Sequence, residues 1–197
     1  MSDVPIFEID STELVDILES GQVAVIPTDT LYGLCAKASS PLATEVLYKL
    51  KNRDAKPGTV IAASIEQLVE LGIKRGYLTA VADFWPGAIS IEIAHGVGYL
   101  SQEIGRQAFR VVADDKVRKL LEKTGPLLTS SCNQPGEPPA NNVDEAVEYF
   151  GDNVAAYVDG GDLSGRQPST LIRIVDDAIE IIRPGAVKIN ESGRINQ

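Results

Sequence analysis

Short apolar runs alternate with amphipathic stretches along the chain. The runs that are typical of buried strands lie at residues 22–26, 59–63, 127–129 and 154–158. Between them, apolar residues recur at helical spacing, as Leu42, Val46 and Leu50 do. Strands and helices therefore alternate, but without a strict strand–helix–strand repeat. The pattern predicts an α/β protein whose sheet has mixed strand directions.

Polar residues ahead of the amphipathic stretches predict where helices begin. Asp10, with Glu13 three residues later, has the spacing of a capping box, so we expect Asp10 to cap the first helix. Similar signals precede three further helices at Ser40-Pro41, at Ser64 with Gln67, and at Asn142 with Glu145. These caps mark the loops between elements, which is where binding residues usually lie.

Length and composition indicate one domain over residues 1–197, with residues 188–197 as a tail. Cys35 and Cys132 lack metal-type spacing, and a single histidine excludes a His-rich zinc site. Neither a signal peptide nor a long apolar run appears, so we expect a cytoplasmic protein without membrane contact. The net charge of −10 opposes a broad nucleic-acid surface and favours a small anionic ligand in a local basic pocket.

Five clusters of cations, hydroxyls and amides stand out, and most of them lie at the ends of predicted strands or just past them. They are Thr28 with Thr30, Lys51 with Arg53 and Lys56, Arg110, Ser131 with Asn133, and Ser169 and Thr170 with Arg183. If their loops share one edge of the sheet, they line a single cleft. Arginine and lysine bind carboxylates and phosphates, and hydroxyls orient such ligands. The clusters indicate a site for a polar anion such as a phosphate.

Most of these clusters also have a purely structural interpretation. The two threonines and the serine–asparagine pair are common turn formers. The three cations of residues 51–56 follow a helix and would equally complement its dipole. Arg110 differs, because an arginine between apolar strand residues requires a partner.

No familiar phosphate-binding fingerprint accompanies the clusters. Neither Gly-x-x-x-x-Gly-Lys-Ser/Thr nor Gly-x-Gly-x-x-Gly occurs in the sequence. No pair of carboxylates suggests a general acid and base. A site of cations and hydroxyls remains, and this suits phosphoryl or nucleotidyl transfer because positioning and charge neutralisation supply most of the rate.

The ordered set of motifs resembles the YrdC-like family, whose TsaC-type members are threonylcarbamoyl-adenylate synthases. The matching segments are residues 27–34, 51–53, 56–57, 84–87, 110–111, 131–133, 168–170 and 183–185, within roughly residues 11–187. The family's Lys-x-Arg and Ser-x-Asn signature is intact, whereas Asp54, Gly58 and Cys132 depart from its usual residues. The resemblance implies a twisted, open, mixed sheet flanked by helices, with a concave positive cavity.

The resemblance also implies a reaction. Such enzymes join L-threonine, bicarbonate or CO2, and ATP to give threonylcarbamoyl-AMP and pyrophosphate, and Mg²⁺ is expected with the triphosphate. The product supplies the threonylcarbamoyl group for the t6A modification at tRNA position 37, and partner proteins complete the transfer of this group. The nucleophile is then the N-carboxylated threonine, which explains why the sequence shows no protein nucleophile.

Carried onto this chain, the resemblance assigns two sets of side chains. The set expected to contact ATP is Lys51, Arg53, Lys56, Asn133 and Arg183. Within this set, Lys51 and Arg53 are also expected to stabilise the negative charge of the phosphates during the reaction. The set expected to contact threonine is Thr30, Arg110, Ser131 and Ser169. Two other functions stay open: a module that binds tRNA or double-stranded RNA, and a divergent paralogue with another carbamoyl-type acceptor.

Overall fold

A ten-stranded sheet organises the part of the chain that the structure describes, residues 4–52, 56–176 and 178–189 of a computed structural model. The strands are β1 (Ile6–Phe7), β2 (Ala24–Pro27), β3 (Tyr32–Lys37), β4 (Thr59–Ala62), β5 (Ile89–Ala94), β6 (Arg106–Val111), β7 (Leu127–Ser131), β8 (Ala156–Val158), β9 (Thr170–Val175) and β10 (Ala178–Arg183). Their order across the sheet is β1-β8-β2-β3-β7-β4-β6-β5-β9-β10.

Neighbouring strands run in both directions. The pairs β1–β8, β2–β8, β4–β6 and β5–β9 are parallel. The pairs β2–β3, β3–β7, β4–β7, β5–β6 and β9–β10 are antiparallel. The predicted α/β fold with a mixed sheet is therefore confirmed.

Helices cover both faces of the sheet. Those in the described residues are α1 (Thr12–Glu19), α2 (Pro41–Leu50), α3 (Ile65–Glu70), α4 (Arg75–Ala80), α5 (Asp115–Thr124) and α6 (Val143–Phe150). Three 3-10 turns lie at Ala82–Phe84, Gly98–Ser101 and Gly151–Asn153. Within the described ranges, each helix is too short or too polar to cross a membrane.

The two faces of the sheet bury separate apolar cores. Successive residues of a strand point to opposite faces, so Val25 and Val60 join the core under α2, α3, α4 and α6. Their neighbours Ile26 and Ile61 join the core under α1 and α5. This double burial explains why the central strands read as apolar runs.

Three of the four helix caps predicted from the sequence are confirmed. Ser40, Ser64 and Asn142 each accept a hydrogen bond from a backbone N–H three residues on, as predicted. The predicted role of Asp10 is wrong, because Ser11 caps α1 and accepts from the N–H of Leu14. Ser11 N–H donates to the Glu8 carbonyl, and this turn places Ser11, rather than Asp10, directly before the helix.

The ends of the four strands predicted from apolar runs differ from the predictions by at most two residues. The run predicted at 22–26 forms β2 at Ala24–Pro27, and the run at 154–158 forms β8 at Ala156–Val158. The run at 127–129 forms β7 at Leu127–Ser131, since Ser130 and Ser131 pair with β3. Ser131 is thus held in the sheet itself rather than in the loop after it.

The face covered by α1 and α5 continues into a cavity beyond these helices. Ile61 and Leu127 lie in the core on this face. Two residues along the same strands, on the same face, Thr59 and Thr129 line the cavity. Strand β6 contributes Arg110 to the lining of this cavity. The sheet therefore carries apolar residues where helices cover it and polar residues where it is open.

Candidate functional site

Strand residues and strand ends form an inner cavity of about 140 Å³. We use this name for the space bounded by Thr30, Gly33, Gly58, Arg110, Ser131, Ser169 and Arg183 and the strand residues between them. β3 and β7 supply one wall, β6 supplies Arg110, and the β9–β10 hairpin brings Ser169 and Arg183. All four side chains assigned to threonine therefore line one cavity.

Arg110 is buried beside Asp29. Its Nη1 lies 2.8 Å from Asp29 Oδ1, and only 4% of the Arg110 side chain is exposed. Neither atom, nor Arg110 Nε, makes a hydrogen bond to another described group. Burial lowers the pKa of Arg110 and the charge of Asp29 opposes this shift, and a guanidinium stays protonated in any case. The predicted partner of Arg110 is thus Asp29, and N–H donors remain for a ligand.

Ser169 is held from two sides. Arg183 Nη2 donates to the Ser169 carbonyl at 2.8 Å and to its Oγ at 3.3 Å. Ser90 Oγ lies 2.8 Å from Ser169 Oγ. The chain after Arg183 passes so close that a Cβ on Gly185 would lie 2.2 Å from the Pro168 carbonyl oxygen. Glycine at this position therefore lets the two segments meet.

The two threonines of the loop after β2 have different roles. Thr28 Oγ1 donates to the Leu31 carbonyl and accepts from the N–H groups of Thr30 and Leu31. These bonds confirm the structural interpretation for Thr28, which closes the turn. Thr30 Oγ1 contacts Thr28 Oγ1 at 3.0 Å and lies at the cavity wall.

A second hollow, of about 390 Å³, adjoins the inner cavity at Ser131. We call it the loop cleft. Its lining residues are Lys51, Asn52, Lys56, Ser131, Asn133, Pro135 and Gly136. Its volume lies within the ~300–1,000 Å³ usual for small-molecule sites.

Lys51, Ser131 and Asn133 form one hydrogen-bonded network. Lys51 Nζ donates to the Ser131 carbonyl at 2.8 Å, to Asn133 Oδ1 at 2.9 Å, and to the Asn133 carbonyl. Ser131 Oγ donates to the same Oδ1 at 2.7 Å, and Asn133 Nδ2 donates to the Glu137 carbonyl. Lys51 is buried, so it is not a solvated charge at the end of α2. The network fixes the shape of the loop after β7.

Gly58 departs from the family pattern at a crowded position. A Cβ there would lie 2.4 Å from the Thr129 carbonyl oxygen, closer than real Cβ atoms approach. Its N–H donates to the Tyr48 hydroxyl, and its carbonyl accepts from Gln107. The chain therefore passes tightly against β7 here, which only glycine permits without movement.

The two hollows carry positive charge. Among the described residues that line them are the cations Arg110, Arg183, Lys51 and Lys56, and none of these lining residues is Asp or Glu. Lys56 is exposed in the loop cleft. In a chain of net charge −10, this local excess of cations favours an anionic ligand. Arg53, the remaining residue assigned to ATP, lies outside the described residues.

A larger groove of about 600 Å³ runs along α2, between Tyr48 and Tyr99. The hydroxyls of both tyrosines are already bonded to the carbonyls of Leu100 and Ala38. The charged pair that lines it, Glu45 and Lys49, is a solvent-exposed ion pair. Size alone does not make a site, and this groove lacks the convergent cations of the inner cavity and the loop cleft.

Comparison with known proteins gives the family. The family model Sua5_yciO_yrdC, described as "Telomere recombination", matches residues 16–185. The chain belongs to the Sua5/YciO/YrdC family.

Members of this family are similar to the chain over most of its length. A Mycobacterium tuberculosis relative is 32% identical over 180 residues, which are 88% of this chain and 82% of the relative. The threonylcarbamoyl-AMP synthase of Vibrio campbellii is 30% identical over 185 residues, covering 88% of this chain and 97% of that protein. The range matched by the family model, residues 16–185, includes all the described residues that line the inner cavity and the loop cleft.

Solved structures of the family share the fold. P. abyssi Sua5 in complex with L-threonine superposes with a TM-score of 0.81 at 25% identity over 90% of this chain. This chain spans 54% of that Sua5 chain. E. coli YciO, with a TM-score of 0.78 at 23% identity, covers 94% of this chain and 96% of its own. The second match bears on the fold alone.

Sequence reasoning missed two residues that contact predicted site residues: Asp29, which pairs with Arg110, and Ser90, which bonds to Ser169. Asp29 was visible as the carboxylate of the loop after β2, but its contact with Arg110 spans 81 positions and leaves no local signal. Ser90 was visible only as a polar residue in the alternating strand β5. Ser90 is completely buried although it alternates with the buried isoleucines Ile89 and Ile91. Strand β5 is therefore buried on both of its faces at this point.

Proposed function

We propose that this protein is an L-threonylcarbamoyladenylate synthase. The proposal rests on one observation: the cavity lined by the residues assigned to threonine adjoins, at Ser131, the cleft lined by residues assigned to ATP. Ser131 lines both the inner cavity and the loop cleft. Two relatives that match 88% and 79% of this chain are named threonylcarbamoyl-AMP synthase. The geometry therefore suits a reaction that joins an amino acid to a nucleotide.

The inner cavity is the proposed threonine site. Among the described residues Arg110 Nε has no acceptor, so Arg110 would bind the threonine carboxylate while Asp29 balances its charge. Thr30, Ser131 and Ser169 would orient the amino acid through their hydroxyls. The L-threonine in the P. abyssi Sua5 structure supports this choice of ligand.

The loop cleft is the proposed nucleotide site. Lys51, Lys56 and Asn133 would face the phosphates from the cleft, and Arg183 would reach them from the inner cavity. Arg53 completes this set in the proposal, outside the described residues. Mg²⁺ would be held mainly by ATP oxygens and water, as this ion usually is.

The proposed chemistry is a substitution at the α-phosphorus. Threonine and bicarbonate give N-carboxythreonine and water, and a carbamate oxygen then bonds to the α-phosphorus of ATP. The bond from that phosphorus to the bridging oxygen of pyrophosphate breaks, and pyrophosphate leaves with the electron pair. The cations of the site stabilise the charge on the phosphates during this step. No protein nucleophile is required.

The product would be used in the t6A modification of tRNA in the cytoplasm. Proteins that complete the transfer of the threonylcarbamoyl group are then partners of this chain, with tRNA as the final acceptor. The two proposed hollows are too local to act as a broad RNA surface, and the acidic total charge opposes one.

Pyrophosphate release tests the proposal. With ATP, bicarbonate and Mg²⁺, release should depend on added L-threonine, and other amino acids should give much less. Release without threonine, or none with it, would contradict the proposal. Equal release with a different amino acid would instead favour a paralogue with another acceptor.

A variant pair tests the nucleotide assignment. Arg183→Met should lower kcat/KM for ATP by about 10-fold, because it removes charge-assisted hydrogen bonds. Arg75→Met is the matched control, since Arg75 lies on α4, away from both hollows, and its guanidinium pairs with Glu66 at the surface. Equal kinetics for the two variants would remove Arg183 from the site.

A further inference from the structure

Ser90 is a completely buried serine just behind the inner cavity. It lies in β5, which runs parallel to β9 with Ser90 opposite Leu171. Ser169 is two residues before Leu171 and so projects from the same face of the sheet. The distance between the Ser90 and Ser169 hydroxyl oxygens is 2.8 Å. Within the described residues this is the one hydrogen bond of the Ser90 side chain.

Each of the two hydroxyls has a single proton, and this decides whether Ser90 or Ser169 is the donor. Each hydroxyl has one proton and two acceptor sites. If Ser169 donated to Ser90, the proton of Ser90 would be left in the core with no acceptor, at a substantial desolvation cost. If Ser90 donates, its proton is satisfied and no buried donor is lost.

With Ser90 as the donor, both acceptor sites of the Ser169 hydroxyl are occupied by protein groups. A guanidinium only donates, so Arg183 Nη2 at 3.3 Å takes one acceptor site of Ser169 Oγ. The hydroxyl of Ser90 takes the other site. Ser169 then has its proton left, and its side chain lies at the wall of the inner cavity. It can donate to a ligand oxygen, but it cannot accept from a ligand N–H.

We propose that Ser90 is a positioning residue that makes Ser169 an obligate hydrogen-bond donor into the inner cavity. The ligand group that Ser169 binds is accordingly an oxygen acceptor, such as a carboxylate, and not an ammonium. This inference rests on the proposed function for the identity of the ligand, which is the threonine carboxylate. Ser90 does not touch the substrate and acts only through Ser169.

Calorimetric titration of Ser90→Ala tests the inference. L-Threonine should bind about 5- to 10-fold more weakly, the effect of losing roughly one oriented hydrogen bond. L-Threoninol, which has a hydroxymethyl group in place of the carboxylate, should lose much less. Binding of a non-hydrolysable ATP analogue should be unchanged. Ser90→Thr keeps the donor and should restore threonine affinity.

A matched control separates orientation from general loosening. Ser101 is also a completely buried serine, and it bonds to the backbone of Gly98 and Gly105 away from the cavity. Ser101→Ala should leave threonine affinity unchanged. Wild-type affinity in Ser90→Ala, or equal losses for threonine, threoninol and the ATP analogue, would overturn the inference.

Unfolding of the ligand-free variants tests the hydrogen-bond direction without threonine. Ser169→Ala should shift the urea midpoint down more than Ser90→Ala, because it leaves the buried proton of Ser90 without an acceptor. A larger shift for Ser90→Ala would overturn the inference. A wild-type protein that binds no threonine would refute the proposed function, and this unfolding comparison would still decide the direction.

Discussion

The inner cavity and the loop cleft adjoin at Ser131 but are built differently. In the inner cavity, polar side chains come from strands or their ends and already have protein partners, as Arg110 has Asp29 and Ser169 has Ser90. In the loop cleft, Lys51 is buried and bonded to the loop after β7, whereas Lys56 is exposed. Residues of the inner cavity should therefore affect stability and binding together, whereas Lys56 should affect binding alone.

The largest expected effect is on the buried ion pair of the inner cavity. Asp29→Ala leaves the charge of Arg110 buried without a counter-ion, so the free energy of unfolding should fall by about 3–5 kcal/mol. Urea denaturation measures this change. Adding Arg110→Met to Asp29→Ala should recover much of the loss, because no unpaired charge then remains. A loss below about 1 kcal/mol in the single variant would show that the pair is not a structural element.

The second expected effect is on nucleotide affinity alone. Lys56→Ala should weaken binding of an ATP analogue by about 5- to 10-fold by removing a phosphate contact, while the urea midpoint stays at the wild-type value. Lys49→Ala is the control, because Lys49 is 74% exposed on α2 and forms a surface ion pair with Glu45. If Lys56→Ala lowered stability without changing nucleotide affinity, the contrast between the two hollows would be lost.

The smallest effect concerns Cys132, which lies between Ser131 and Asn133 where the two hollows join. Burial raises the pKa of its thiol to about 12, although the charge of Lys51 opposes the shift. Burial also raises the pKa of Cys35 to about 12. Both thiols are protonated at pH 8, so a thiol reagent should label the native protein very slowly and the unfolded protein at once.

The same shifts give a pH dependence with a fixed sign. Because the folded-state pKa values of Cys35 and Cys132 lie above the ordinary value of 9.0, the folded state holds these protons more tightly. Their contribution to stability is complete below pH 9 and is lost as the pH rises toward 12. Rapid labelling of the native protein at pH 8, or stability that rises over this alkaline range, would show that the thiols are exposed.

Sequence patterns predict those features that depend on near neighbours. Ser40, Ser64 and Asn142 cap helices through bonds to residues three positions on, and these bonds are encoded locally. Even this local code is degenerate, since Asp10 and Ser11 both suit a cap and the turn from Glu8 selects Ser11. The apolar runs of the central strands likewise follow from burial on both faces.

Contacts across the sheet could not be predicted from these patterns. Ser90 meets Ser169 because β5 and β9 are parallel neighbours, although 79 positions separate the two residues. Asp29, after β2, contacts Arg110 of β6, although β3, β7 and β4 lie between these two strands in the sheet. The resemblance to a family supplied candidate residues at strand ends, but only the strand order shows which of them share a cavity.

A crystal structure with L-threonine and a non-hydrolysable ATP analogue would test the central claim most directly. The account predicts the threonine carboxylate within hydrogen-bonding distance of Arg110 and Ser169, and phosphate oxygens close to Lys56 and Asn133. The amine of threonine should point toward Ser131 and the α-phosphate. Threonine bound outside the inner cavity, or a triphosphate outside the loop cleft, would contradict the account.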